Sequence, residues 1–111
     1  MDNILVANYK VLILDRDDPK TGNTAKIHLR NEKNQPIGTI YFYAEKSRLP
    51  DNRQFTNFKP PRTIIHTHES KLQSMIDLLR NEKPCYLYYV SKTLGGLSTT
   101  EEPVGEEETE Q

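Results

Sequence analysis

Apolar positions along the chain fall into short segments separated by polar stretches. Residues 4–14 are rich in Ile, Val and Leu and carry no helix-capping signal, which predicts a long strand bent near Ala7 and Asn8. Apolar and polar residues alternate over residues 24–30, a pattern typical of a half-buried antiparallel strand. Residues 37–44 are predicted to return as its partner, forming a hairpin.

The register of this hairpin decides which side chains share a face. One register that buries the apolar residues together pairs Leu29 with Ile40 and Ile27 with Phe42. A shift by one residue would turn half of these apolar side chains to the exposed face. The opposite face is then expected to carry Lys26, His28, Arg30, Thr39, Tyr41 and Tyr43.

A long polar segment follows, and one helix comes after it. Residues 45–61 are predicted to form a loop, which contains Lys46, Arg48, Arg53, Lys59, Phe55 and Phe58. A short strand is expected over residues 62–68. Ser70 and Gln73 are spaced as a capping box at the start of a helix over about residues 71–82. Its one-sided apolar stripe consists of Leu72, Met75, Ile76 and Leu79.

The end of the pattern predicts a closing hairpin. Residues 85–90 are aromatic and apolar and suit a strand, Gly95 and Gly96 mark a turn, and residues 97–100 return. This order predicts an α+β fold in which an antiparallel β-meander is combined with one helix and a C-terminal hairpin. The meander either curls into a small, partly open barrel or stays open with the helix across one face.

The net charge of −1 conceals an uneven distribution of charge. Residues 101–111 contain six glutamates and no lysine or arginine, so residues 1–100 carry +5. We expect a single domain over residues 1–100 and an acidic, largely mobile tail over residues 101–111, because like charges repel and little apolar surface is available.

Composition argues against several protein classes. No apolar run approaches the length of a membrane span, and the first residues lack the charged and apolar regions of a signal peptide. The single cysteine, Cys85, excludes an internal disulfide and a cysteine-based zinc site, and its alternation with Leu87 predicts a buried thiol. We therefore expect a cytoplasmic protein that does not bind a membrane. Nothing in the sequence calls for a cofactor.

Tyrosines and cations form the first candidate site. If Leu87 faces the core, Tyr86 and Tyr88 face outward, as Tyr41 and Tyr43 do on their own strand. Aromatic rings that stack on bases and cations that attract phosphates bind single-stranded nucleic acid without sequence readout. Tyrosine also covers sheets and is enriched at protein interfaces. The candidate residues for either role are Lys26, Arg30, Tyr41, Tyr43, Tyr86 and Tyr88.

His66 and His68 form a weaker candidate for a metal site. Residues two apart on a strand lie on one face, about 7 Å apart, and two imidazoles so placed can share a metal ion. The pair lacks a clear third ligand. The chain also has no phosphate-binding glycine loop, no nucleophile elbow and no paired carboxylates in an apolar setting, which disfavours an enzyme.

Three functional hypotheses follow from these patterns. The leading one is a small non-catalytic binding or adaptor module that docks to another protein or to itself. The second is a single-stranded nucleic-acid binder whose acidic tail competes with the ligand. The third is a metal-dependent activity at His66 and His68.

Overall fold

Two β-sheets and one α-helix are built from residues 3–99, the part of the chain that the computed structural model describes. The elements are β1 (Asn3–Val6), β2 (Asn8–Ile13), β3 (Ala25–Arg30), β4 (Pro36–Tyr43), β5 (Arg53–Phe55), β6 (Arg62–His68), a 3-10 turn (Glu69–Lys71), α1 (Leu72–Asn81), β7 (Cys85–Ser91) and β8 (Leu94–Thr99). The predicted acidic tail lies outside the described residues. Within them, no helix has the length and apolar character needed to cross a membrane.

The two sheets have different strand orders. One sheet has three antiparallel strands in the order β1-β7-β8, and the other has five strands in the order β2-β3-β4-β6-β5. The predicted α+β class, with one helix and a closing hairpin, is confirmed, and the sheets do not close into a barrel.

The predicted bend in the first strand is where the chain passes from one sheet to the other. β1 pairs with β7, β2 pairs with β3, and Ala7 stands between them. The Ala7 backbone N–H donates to the carbonyl of Arg30 at 2.9 Å, so the chain stays hydrogen-bonded through the bend. One apolar segment therefore supplies an edge strand to each sheet.

The β3–β4 hairpin keeps the predicted faces with a different register. Ile27 lies opposite Ile40 rather than Phe42, and Ala25 lies opposite Phe42. A shift of two residues leaves every side chain on its expected face, because side chains in a strand alternate with a period of two. The apolar face of the hairpin is completely buried.

β2, β3 and β4 form the predicted antiparallel meander, and the two remaining strands of the five-stranded sheet depart from it. β6 pairs parallel to β4, with Tyr41 beside His66, and β5 lies antiparallel on the outside of β6. Parallel neighbours need a long connection, which residues 44–61 provide. The segment predicted as a loop thus contains β5. Buried Asn52 fixes it: its side-chain Oδ1 accepts from the His66 backbone N–H at 2.7 Å, and its own N–H donates to the Lys92 carbonyl at 2.8 Å.

The helix begins differently from the prediction. Ser70 lies in the 3-10 turn, and Lys71 occupies the N-cap position of α1 without a side-chain hydrogen bond. The Ser70 backbone N–H donates to the Glu45 carboxylate at 2.7 Å, and Gln73 donates to Asp77, so neither side chain forms a capping box. The side chain of Ser70, and then its backbone N–H, lower the pKa of Glu45 by hydrogen bonding to its carboxylate. The apolar stripe of α1 does pack against the core, as predicted.

The core lies between the two sheets and α1. The predicted glycine turn is wrong: the turn consists of Lys92 and Thr93, and both glycines belong to β8. A Cβ on Gly95 would come within 2.5 Å of Ile65 on the other sheet. Gly95 therefore permits close packing of the sheets. Cys85 is buried as expected, and burial raises the pKa of its thiol.

Candidate functional site

The outer face of the five-stranded sheet, which points away from the three-stranded sheet and α1, collects the polar and aromatic side chains of its strands. Ile27, Ile40 and Ile65 point into the core. Their neighbours on the same strands point outward, because side chains alternate across a sheet. Paired positions across the strands therefore place Lys26 beside Tyr41 and Tyr41 beside His66.

All the strand cations of this sheet lie on the outer face, and strands β2 to β6 contain no Asp or Glu. We call the surface the basic-aromatic face. Its cations are Lys10, Lys26, Arg30, Arg53 and Arg62, and its rings are His28, Tyr41, Phe55 and His66. Two ion pairs occur within residues 3–99, Arg16–Asp15 and Arg80–Asp77, and neither involves these cations.

The pKa of His28 is affected by the positive charges of this face. Its ring lies within hydrogen-bond distance of the Thr39 hydroxyl, 3.1 Å from Nδ1 to Oγ1. Burial lowers the pKa of His28 below its ordinary value, and the positive charges of Lys26, Lys10 and Arg30 lower it further. An anion bound among these cations would offset the repulsion that disfavours the imidazolium.

A cluster of three rings lies at the centre of the sheet. Tyr41 and His66 are stacked, with centroids 5.4 Å apart and planes 18° from parallel. The Tyr43 hydroxyl lies 2.8 Å from His66 Nδ1, so that nitrogen is already hydrogen-bonded. Burial lowers the pKa of His66, which Asp51 partly opposes, and burial raises the pKa of Tyr43, to which Tyr41 adds. Burial thus favours the neutral form of the imidazole, and the hydrogen bond to Tyr43 orients its ring.

Two adjacent cavities open on the basic-aromatic face. The histidine cavity has a volume of about 610 Å³ and is lined by Thr21, Tyr41, Tyr43, Pro50, Asp51, Arg53, Phe55, Ile64 and His66. The phenylalanine cavity has a volume of about 420 Å³ and is lined by Pro36, Gly38, Thr39, Phe55, Phe58, Arg62, Thr63 and Ile64. Phe55 and Ile64 line both, so the two cavities share a wall.

Cations and rings are also combined in the wall and floor of these cavities. The Arg62 guanidinium carbon lies 4.2 Å from the centroid of Phe58, and that of Arg53 lies 5.3 Å from the centroid of Phe55. The two phenylalanines meet edge to face at 6.5 Å. Such pairs hold positive charge next to a flat apolar ring, which suits a ligand with both a π-face and an anionic group.

The structure brings together three of the six predicted site residues. Lys26, Arg30 and Tyr41 share the basic-aromatic face. Tyr43 lies on the same face but is only 4% exposed, and its hydroxyl orients His66 rather than facing solvent. Tyr43 therefore acts on the site by orienting the His66 ring.

Tyr86 and Tyr88 belong to the other sheet. They alternate with buried Leu87, whose Cδ2 lies 2.6 Å from where a Cβ on Gly38 would stand, so Leu87 faces the five-stranded sheet and the tyrosines face away from it. The predicted surface of four tyrosines is therefore divided between opposite sides of the molecule. The Tyr88 ring also covers Gly96, with its hydroxyl 3.5 Å from the position of a Cβ there.

The two histidines of the proposed metal site have separate partners. His66 contacts Tyr43, and His68 Nε2 lies 2.9 Å from the Ser47 carbonyl oxygen. Within residues 3–99, no group of three or more His, Cys, Asp or Glu side chains is placed to hold a metal ion.

Sequence reasoning did not assign several residues of this face to the site. Lys10 and Arg62 lay in strands whose partners were unknown. Arg53 and Phe55 were expected to add a cation and a ring from a loop, not from a strand of this sheet. His66 was considered only as a metal ligand. The available signal was the absence of acidic residues from every segment that became a strand of this sheet.

Comparisons of this chain with protein-family models, with curated proteins and with solved structures return no match.

Proposed function

We propose that this protein binds single-stranded nucleic acid through the basic-aromatic face. The observation that carries the proposal is the composition of that face, where five strand cations without acidic strand neighbours surround half-buried rings. Phosphate attraction supplies affinity, and rings supply a stacking surface for any base. The proposal retains Lys26, Arg30 and Tyr41 from the predicted site and replaces the remaining tyrosines with His28, His66 and Phe55.

The shape of the surface favours a single strand over a duplex. Five strands at a spacing of about 4.8 Å give a surface about 19 Å across, which is broad and open rather than a protruding element that enters a groove. Rings lying in such a surface reach bases only when those bases are unpaired and splayed outward.

Fluorescence anisotropy with a labelled single-stranded oligonucleotide at low salt tests this function. We expect saturable binding by the full chain, with weaker competition from a duplex of the same length. Tyr41→Leu keeps apolar bulk but removes a stacking ring, and we expect it to weaken binding by roughly fivefold or more.

Tyr86→Leu is the matched control, since Tyr86 lies on the outer side of the other sheet. Its affinity should equal that of the unmodified chain. Absence of binding at low salt, or equal losses in the two variants, would contradict the proposed interface.

The second candidate, self-association, rests on a separate observation. Val90 and Leu94 are 46% and 54% exposed at the β7–β8 turn, where Ser91 pairs with Leu94. Exposed apolar side chains that lie together are a feature of protein interfaces. Sedimentation at high protein concentration tests this candidate: a dimer that Leu94→Lys dissociates would support it, and a single monomeric species would count against it.

A further inference from the structure

The two cavities on the basic-aromatic face differ in chemistry although they share a wall. The phenylalanine cavity is lined by two aromatic rings, apolar groups, threonines and one arginine. The histidine cavity adds a carboxylate, Asp51, and an imidazole, His66. An apolar slot accepts any base by stacking, whereas a slot with a fixed hydrogen-bond acceptor can distinguish one base edge from another.

The backbone next to Asp51 is anchored by the following residue, Asn52. Asn52 is 6% exposed and bridges two elements, since it accepts from the His66 backbone N–H at 2.7 Å and donates to the Lys92 carbonyl at 2.8 Å. The residue beside such an anchor has little freedom of backbone movement. Asp51 and His66 line the same cavity, and the Asp51 charge opposes the lowering of the His66 pKa.

A carboxylate at this place opposes phosphate binding. Every strand cation of the face attracts a polyanion, and Asp51 alone among the residues lining the two cavities carries a negative charge. Its side chain is exposed, and neither ion pair found within residues 3–99 includes it. A carboxylate accepts hydrogen bonds only, so it suits a base edge that presents N–H donors.

His66 supplies the second polar group of this cavity. Its Nδ1 is engaged by the Tyr43 hydroxyl at 2.8 Å, which leaves Nε2 as the ring nitrogen for a ligand. The Tyr41 ring lies stacked beside it. The cavity thus combines a flat ring, an oriented imidazole and an acceptor.

We infer that the site holds two consecutive nucleotides, with an amino-bearing base in the histidine cavity against Asp51 and a base of any kind in the phenylalanine cavity. The inference rests on the proposed nucleic-acid binding and adds base selectivity to it. Cytosine and uracil provide the sharpest comparison, since cytosine presents an amino donor where uracil presents a carbonyl acceptor.

Equilibrium binding of short oligo(C) and oligo(U) to the full chain tests this selectivity. We expect oligo(C) to bind about fivefold or more tightly, the lower range for a discriminating base-edge contact. Asp51→Asn should remove the preference, because it weakens oligo(C) binding through loss of the acceptor charge and strengthens oligo(U) binding through loss of repulsion.

Asp77→Asn is the matched control, because it removes one negative charge from α1, on the opposite side of the sheet. It should leave the ratio of the two affinities unchanged. Phe58→Ala alters the other cavity and should weaken both oligonucleotides by a similar factor, roughly fivefold, through lost stacking.

The outcomes separate this inference from the function on which it depends. Equal binding of oligo(C) and oligo(U) overturns the inference and leaves nucleic-acid binding intact, as does a preference that persists in Asp51→Asn. Failure of both oligonucleotides to bind overturns the proposed function itself.

Discussion

Neutralising two cations of the basic-aromatic face should reduce the salt dependence of nucleic-acid binding by a calculable amount. Lys26 and Arg30 lie on β3 on either side of His28, whose pKa their positive charges lower. Lys26→Gln with Arg30→Gln removes both charges while it keeps long polar side chains. Neither residue belongs to the buried core or to an ion pair found within residues 3–99.

The magnitude follows from the number of cations. For single strands, the logarithm of the binding constant falls with the logarithm of salt concentration by about 0.7 for each phosphate neutralised. Five cations give a limiting slope of about −3.5, which lowers affinity by about 100-fold between about 50 and about 200 mM salt. Loss of two cations reduces the slope to about −2.1 and the loss of affinity to about 20-fold.

Anisotropy titrations over a series of salt concentrations measure both slopes. Lys92→Gln, a change in the exposed β7–β8 turn, serves as the control and should leave the slope at its original value. Thermal unfolding monitored by circular dichroism verifies that the variants fold. The reasoning is refuted if the double variant keeps the full slope, or if Lys92→Gln lowers the slope as much as a change on the face does.

Four further predictions concern packing, protonation and the acidic segment. Gly38→Ala should destabilise the protein by about 1–3 kcal/mol in chemical denaturation through overpacking. The new Cβ would stand 2.6 Å from both Leu87 Cδ2 and the Thr63 carbonyl oxygen. An unchanged free energy of unfolding would show that the sheets are packed less closely. Bound phosphate should raise the lowered pKa of His28, so binding takes up a proton and affinity should rise as the pH falls through the range in which the bound imidazole is protonated. His28→Asn should flatten this pH profile in anisotropy titrations. In the free protein the same lowered pKa has the opposite consequence, since His28 of the unfolded chain takes up its proton at a higher pH than His28 of the folded protein. The free energy of unfolding should therefore fall as the pH drops below 6.5. A stability that rises on acidification through this range would contradict this prediction. Removal of residues 101–111 takes away six glutamate carboxylates. It should tighten the binding of single strands most at low salt, where charges are least screened. An affinity that is unchanged at low salt would argue against competition by this segment.

Strand alternation was the most informative pattern in the sequence. The strict alternation around Ile27 predicted a half-buried strand and placed Lys26 and Tyr41 on one face, although the exact partner residues differ by two positions. The helix position followed from its apolar stripe, since a period near 3.6 needs no tertiary information. The capping residues did not follow, because Ser70 is drawn to Glu45 on a distant segment.

The candidate site could be predicted only in part. Lys26, Arg30 and Tyr41 lie in one hairpin, whose faces depend on local alternation. Arg53, Arg62 and His66 join them through pairings between distant segments, which leave no local pattern in the sequence. Tyr86 and Tyr88 alternate correctly with Leu87, but alternation does not say which sheet a strand enters, and so they were assigned to the wrong surface.

By itself the sequence determined all the strand segments but β5, which side of each of those strands is buried, and how charge divides between residues 1–100 and the last eleven residues. Only the tertiary structure decided that β4 and β6 lie parallel, that β5 completes the sheet edge, and that one face gathers the cations of four strands. The physical reason is the range of the interactions: alternation acts between adjacent residues, whereas strand order depends on non-local packing, here on the contacts of Gly38 with Leu87 and of Asn52 with His66.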